Sequence, residues 1–182
     1  FSPEVYLDDR RLFLLCVVLV LAAAGFHATQ QWSMFAAYAL GISTASAMVV
    51  AMLFGVRLGI VLSTFLGLLA GMVATGSDAR LVIVTILCST FASYAISTAG
   101  SKSLTIARAA GLVGVGNAVL FVAASDVFGL MISPAQAVAT VLAGLISASI
   151  AVVAVMALER AVGVTTDLRL LELADPNERI LH

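Results

Sequence analysis

The sequence has very little charge for its length. Only nine of its 182 residues are Lys or Arg and ten are Asp or Glu, a charged fraction of 10%, whereas ordinary globular domains carry about a quarter. So few charges cannot coat a water-exposed surface, and they form no basic patch that would bind a nucleic acid. The composition therefore excludes a soluble enzyme, a nucleic-acid-binding protein and a disordered segment as descriptions of the whole chain.

Residues that bind metals or carry covalent chemistry are scarce too. The two cysteines, Cys16 and Cys88, lie in separate apolar runs, and the only histidines are His27 and His182. Their spacing matches no zinc, haem or iron–sulfur site. No nucleophile, base and orienting group occur together in a known catalytic pattern. The sequence predicts no metal site and no catalytic residue within these 182 positions.

Apolar residues make up 62% of the chain, and its mean hydropathy is +1.15. A helix needs about 20 residues to cross the hydrocarbon core of a bilayer, and six apolar runs approach that length. They cover residues 12–28, 35–56, 58–75, 81–100, 107–125 and 135–158. The period-two alternation of a membrane barrel is absent. We predict an all-α polytopic membrane protein, a bundle of six transmembrane helices that occupies residues 12–158.

The second and third runs are almost continuous and need a break between them. One helix over residues 35–75 would be about 60 Å long, about twice the thickness of the hydrocarbon core. We place the break at Gly55-Val56-Arg57-Leu58-Gly59, where two glycines flank a charge.

The basic residues orient the six crossings. One side has only Arg80, and the other collects Arg10, Arg11, Arg57, Lys102, Arg108, Arg160, Arg169 and Arg179. Because cytoplasmic loops carry an excess of Lys and Arg, we predict a multi-pass protein of the inner or plasma membrane with both ends cytoplasmic. Its first partner is the lipid bilayer. Residues 1–11 become a cytoplasmic loop and residues 159–182 a cytoplasmic linker.

Polar residues within the runs allow two interpretations. Ser89, Ser93 and Ser97 recur every four residues in the fourth run, and Asn117 is a lone amide in the fifth. They could form a polar path or ligand-binding face, or they could let helices pack closely and hydrogen-bond. The second use is favoured. Small-residue pairs such as Gly144 with Ala148 indicate packing within one bundle, with a homo-oligomer as the alternative.

The segment after the last run predicts a short amphipathic helix. Thr165 or Thr166 is suited to the N-cap, and Asp167 in the first turn complements the helix dipole. Leucines 168, 170, 171 and 173 supply an apolar side, and Asp175 before Pro176 disfavours continuation.

This segment resembles the junction in the seven-transmembrane HD phosphohydrolases of bacteria, the family of cyclic di-AMP phosphodiesterases of the PgpH type. There a Thr-Asp-x-Arg-Leu-Leu-Glu-Leu segment and a Pro-Asn turn link the membrane bundle to a cytoplasmic HD domain. The matching residues are Thr166, Asp167, Arg169, Leu170, Leu171, Glu172, Leu173, Pro176 and Asn177. Residues 3–11 resemble the cytoplasmic loop after the family's first transmembrane helix, and Glu159 resembles the acidic residue that closes its last helix.

The resemblance implies more than these residues contain. It implies an extracellular domain and a first transmembrane helix upstream, and a downstream HD domain that uses a pair of divalent metal ions to hydrolyse cyclic di-AMP. The residues that would couple bundle to HD domain are Thr166, Asp167, Arg169, Leu170, Glu172, Asp175, Pro176 and Asn177. The catalytic residues would lie in the HD domain.

Three functions follow as hypotheses. The leading one is a sensory and regulatory membrane domain that transmits a signal to a cytoplasmic hydrolase. The second is a small multipass transporter or substrate-binding component that uses Ser89, Ser93, Ser97 and Asn117. The third is an accessory subunit that packs into a larger membrane complex through its small-residue faces.

Overall fold

The computed structural model describes residues 9–74, 79–98, 103–127 and 134–162. These residues form six α-helices: α1 (Asp9–Thr29), α2 (Phe35–Phe54), α3 (Val56–Val73), α4 (Ala79–Thr98), α5 (Ser103–Val127) and α6 (Pro134–Val162). Five are long and apolar enough to cross a membrane, and α5 contains a shorter apolar stretch, Gly111–Ala124. The predicted fold class is confirmed, because the helices follow the six apolar runs in order.

The helices at the C-terminal end are longer than their apolar runs. Helix α5 begins four residues before the predicted run, and α6 continues through Glu159 and Arg160 to Val162. Apolar runs stop at charged residues, whereas backbone hydrogen bonding continues past them. Pro134 suits the first turn of α6, where its missing N–H needs no partner. The predicted amphipathic helix and all the junction residues lie outside the described ranges.

Helix α2 is the centre of the bundle. It packs against α1, α3, α4 and α6, whereas α5 packs on α4 and α6, and α1 packs on α2 and α3. As a result 67% of the α2 span is buried, against 22% of the α1 span. Met48 and Val50 on α2 lie in one core cluster with Leu66 of α3 and Phe26 of α1, and Leu40 lies in a second cluster with Val84, Cys88 and Phe121. Since lipid is as apolar as these side chains, close packing holds the helices together.

Gly55 separates α2 from α3, as predicted. Its φ is 90° and its ψ is 161°, a region of backbone space that is essentially restricted to glycine. The Gly55 N–H still donates to the Ala51 carbonyl at 3.0 Å, and the Gly59 N–H donates to the Gly55 carbonyl at 3.3 Å. One residue therefore reverses the chain with little loss of backbone hydrogen bonding.

Gly55→Ala should destabilise the bundle by about 1–3 kcal/mol because a Cβ strains this backbone conformation. No neighbouring atom would obstruct the new Cβ, so the loss of stability measures backbone strain alone. Gly111→Ala is the matched control: its Cβ also meets nothing, and inside a helix the change should stabilise by about 0.5–1 kcal/mol. Thermal unfolding in detergent measures both, and equal melting temperatures would contradict the prediction.

Candidate functional site: the polar layer around α4

The inner face of α4 carries a row of buried polar side chains. Thr85, Ser89 and Ser93 are fully buried, and Ser93 faces α3, because its Oγ lies 3.1 Å from where a Cβ on Gly59 would be. Ser97 does not join them and is exposed. At about 100° per residue, a four-residue repeat drifts about 40° at each step, so Ser97 has turned about 80° away from Ser89. The structure therefore groups two of the three predicted serines.

Each of these serines hydrogen-bonds to its own helix. The Ser89 hydroxyl donates to the Thr85 carbonyl, the Ser93 hydroxyl to the Ser89 carbonyl at 2.9 Å, and the Ser97 hydroxyl to the Tyr94 carbonyl at 2.7 Å. Such bonds satisfy the hydroxyl in an apolar environment. Because serine side chains are small, they also allow a neighbouring helix to approach closely. The arrangement is typical of close helix packing.

Other helices also carry buried hydroxyl side chains, which sequence reasoning did not single out. Ser43, Thr44, Ser63, Thr140 and Ser147 are buried as well, and each hydroxyl donates to a carbonyl three or four residues earlier. The sequence shows these Ser and Thr residues within the apolar runs. Only those of α4 recur regularly every four residues, so the spacing pattern did not indicate the hydroxyl residues of the other helices.

Asn117 lies where α5 packs on α4. Its side chain is 1% exposed, and the Cys88 thiol of α4 donates to the Asn117 backbone carbonyl at 3.8 Å. Thr85 lies three residues before Cys88, and residues with this spacing are neighbours on a helix surface. Among the described residues, the buried side-chain polar atoms without a hydrogen-bond partner are Thr85 Oγ1 and Asn117 Oδ1.

These two atoms are a donor and an acceptor that do not pair with each other. A buried polar atom without a partner costs about 1–3 kcal/mol, and surrounding lipid offers none. The contact between α4 and α5 therefore contains two buried polar atoms whose desolvation is not offset by a hydrogen bond.

Thr85→Val should leave the bundle equally stable or more stable by about 1 kcal/mol, because valine keeps the shape and removes an unpaired buried hydroxyl. Thr44→Val is the matched control. Thr44 is also fully buried, but its hydroxyl donates to the Leu40 carbonyl, so this change should cost about 0.5–1.5 kcal/mol. Melting temperatures in detergent measure both variants. An equal decrease for Thr85→Val and Thr44→Val would contradict the unpaired state of the Thr85 hydroxyl.

Ionisable groups within the described residues do not assemble into a metal site. No group of three or more His, Cys, Asp and Glu side chains lies close enough to hold an ion in that part of the chain. Both cysteines are free thiols, Cys16 exposed and Cys88 buried.

Comparison with known proteins identifies the family. No curated protein and no solved structure matches the chain. The model of one protein family, described as "7TM receptor with intracellular HD hydrolase", matches residues 1–166, which include all six helices and end at Thr166, the first residue of the predicted junction. The resemblance in the sequence is thereby confirmed at the level of the family. The chain belongs to the family of seven-transmembrane receptors with an intracellular HD hydrolase.

Proposed function

We propose that this chain is the sensory and regulatory membrane domain of a metal-dependent HD phosphohydrolase, and that it transmits a signal across the bilayer to a cytoplasmic catalytic domain. The observation that carries the proposal is the family match over residues 1–166. The resemblance of the junction adds cyclic di-AMP as the substrate. The HD domain would hold a pair of divalent metal ions, and both ends of this segment would be cytoplasmic in the inner or plasma membrane.

The length of α6 supports a role in transmission. Its 29 residues extend about 44 Å at about 1.5 Å per residue, more than the roughly 30 Å hydrocarbon core. Helix α6 packs against both α2 and α5, and its last residue, Val162, precedes in sequence the segment that resembles the junction. A shift of either neighbour would therefore displace a continuous helix that leads toward the hydrolase.

The unpaired Thr85 and Asn117 atoms support a second packing state. Transmission needs an element with two arrangements whose free energies differ by a few kcal/mol. Pairing of these two atoms would stabilise a displaced α4 and α5, and α5 contacts α6. A ligand or lipid that binds one arrangement better would shift the populations, and the displacement would reach the linker through α6.

Replacing Arg169 or Glu172 with Ala in the full-length protein should change its hydrolysis of cyclic di-AMP several-fold while its amount in the membrane stays the same. Both residues belong to the segment that resembles the coupling junction. The matched controls are Arg179→Ala and Glu178→Ala, which remove the same charges beyond the Pro176-Asn177 turn. Rates measured on isolated membranes test the proposal. Unchanged hydrolysis in the junction variants, or equal changes in the controls, would count against coupling through this segment.

A further inference from the structure

An apolar groove of about 740 Å³ lies between α1 and α6. Helix α2 forms its floor, because both α1 and α6 pack on α2. Ala37, Gly41 and Ala45 line the floor, and Leu142 and Ile146 of α6 line one wall. These two wall residues are 52% and 57% exposed. The groove is therefore open on the outside of the bundle, where a membrane component can enter from the side.

The groove nearly spans the bilayer. Along α6 its lining runs from Ala139 to Ala157, about 27 Å at about 1.5 Å per residue. The hydrocarbon core is about 30 Å thick, and the acyl chains of one leaflet cover only about half of that. An acyl chain would fill part of the groove, whereas a membrane-spanning helix would match its length.

The lining is suited to an apolar helix. Of its hydroxyl groups, Ser46 donates to the Ile42 carbonyl at 2.8 Å and Ser147 donates to the Gly144 carbonyl at 2.9 Å. Tyr38 contacts Trp32 edge to face, with 5.0 Å between ring centroids, an aromatic pair of the kind found at membrane interfaces. A helix satisfies its own backbone groups, and the small residues of the floor allow its close approach.

The number of helices indicates where such a helix comes from. The family is described as having seven transmembrane helices, and this sequence contains six apolar runs of membrane-spanning length. Helix α1, which borders the groove, has the smallest buried share of the five spans. We propose that the groove seats the seventh transmembrane helix of the same protein, packed against α1, α2 and α6. This inference rests on the family membership in the proposed function, and is independent of signal transmission.

Site-specific photocrosslinking in the full-length protein tests whether the seventh helix occupies the groove. A benzophenone amino acid replaces Ile146 in the groove, and in the control it replaces Val119 of α5, a helix that contributes no residue to the lining. Val119 is 61% exposed, close to the exposure of Ile146. After irradiation of native membranes, Ile146 should yield an intramolecular crosslink to an apolar peptide from outside residues 1–182, several-fold above Val119. Peptide mapping identifies the partner, and Leu142 serves as a second groove position if the first variant does not accumulate.

Each other outcome overturns the inference. A covalent dimer from Ile146 would assign the groove to a second copy of the chain. Lipid adducts alone would assign it to acyl chains, and equal yields from Ile146 and Val119 would show that the groove has no specific occupant. The readout does not depend on hydrolase activity. A negative crosslinking result would therefore not contradict the proposed function, and unchanged hydrolysis in the junction variants would not contradict the placement of the seventh helix.

Discussion

Gly144→Val should destabilise the bundle by about 3 kcal/mol or more and strongly reduce the amount of folded protein. A Cβ on Gly144 would lie 2.7 Å from the Cα of Gly114 and 3.3 Å from the Val113 carbonyl oxygen. Both obstructing atoms belong to the backbone of α5, which no rotamer change can move. Overpacking a well-filled core costs about 1–3 kcal/mol, occasionally more, and a collision with backbone falls at the upper end.

The control for this prediction is Gly111→Val on the neighbouring helix α5. A Cβ at Gly111 meets no atom, and valine is a better helix former than glycine by a few tenths of a kcal/mol, so this variant should keep the stability of the parent. Fluorescence-detected size exclusion and thermal unfolding in detergent measure both proteins. If the two variants melt at the same temperature, α5 and α6 do not meet at these glycines.

The number of helices and the break at Gly55 could be predicted from the sequence because lipid imposes a simple requirement. Each crossing must be long, apolar and helical, so that its backbone groups are satisfied within it. The 35–75 stretch exceeds that length, and its only glycine pair with an adjacent charge marks the break. Such one-dimensional constraints do not depend on which helices are neighbours.

The partners of each helix face could not be predicted in the same way. The spacing of Gly144 with Ala148, and of Ala110 with Gly114, indicates a small face on two helices but does not indicate that Gly144 meets Gly114. The groove beside α1 could not be predicted either. Because α1 is apolar on every side, its sequence does not show which face contacts lipid and which contacts protein. The unpaired state of Thr85 and Asn117 depends on rotamers and on the offset of α4 and α5, which a spacing pattern does not specify.

A disulfide between α2 and α6 should change hydrolysis by the full-length protein by about 5-fold or more, the range in which coupling between distant sites usually falls. A Cβ on Gly41 would lie 3.4 Å from the Cβ of Ala143, close to the separation of about 3.5–4.5 Å found in disulfides. Gly41→Cys with Ala143→Cys therefore permits a bond that prevents α6 from sliding along α2. The cysteines of this segment, Cys16 and Cys88, and any cysteine elsewhere in the full-length protein are replaced by Ala so that only the new pair can oxidise.

Single-cysteine variants at Gly41 and Ala143, treated with the same oxidant, separate the bond from the substitutions. They should show the same hydrolysis before and after oxidation. In the double variant the change should reverse when the bond is reduced, because only the relative freedom of the two helices has been altered.

The proposed function requires that packing within the membrane bundle sets the activity of the cytoplasmic hydrolase. The most direct test is the rate of cyclic di-AMP hydrolysis by the full-length Gly41→Cys/Ala143→Cys protein in membranes, measured oxidised and then reduced. We expect a reversible difference of about 5-fold or more that the single-cysteine variants lack. Complete formation of the disulfide with an unchanged rate would contradict it.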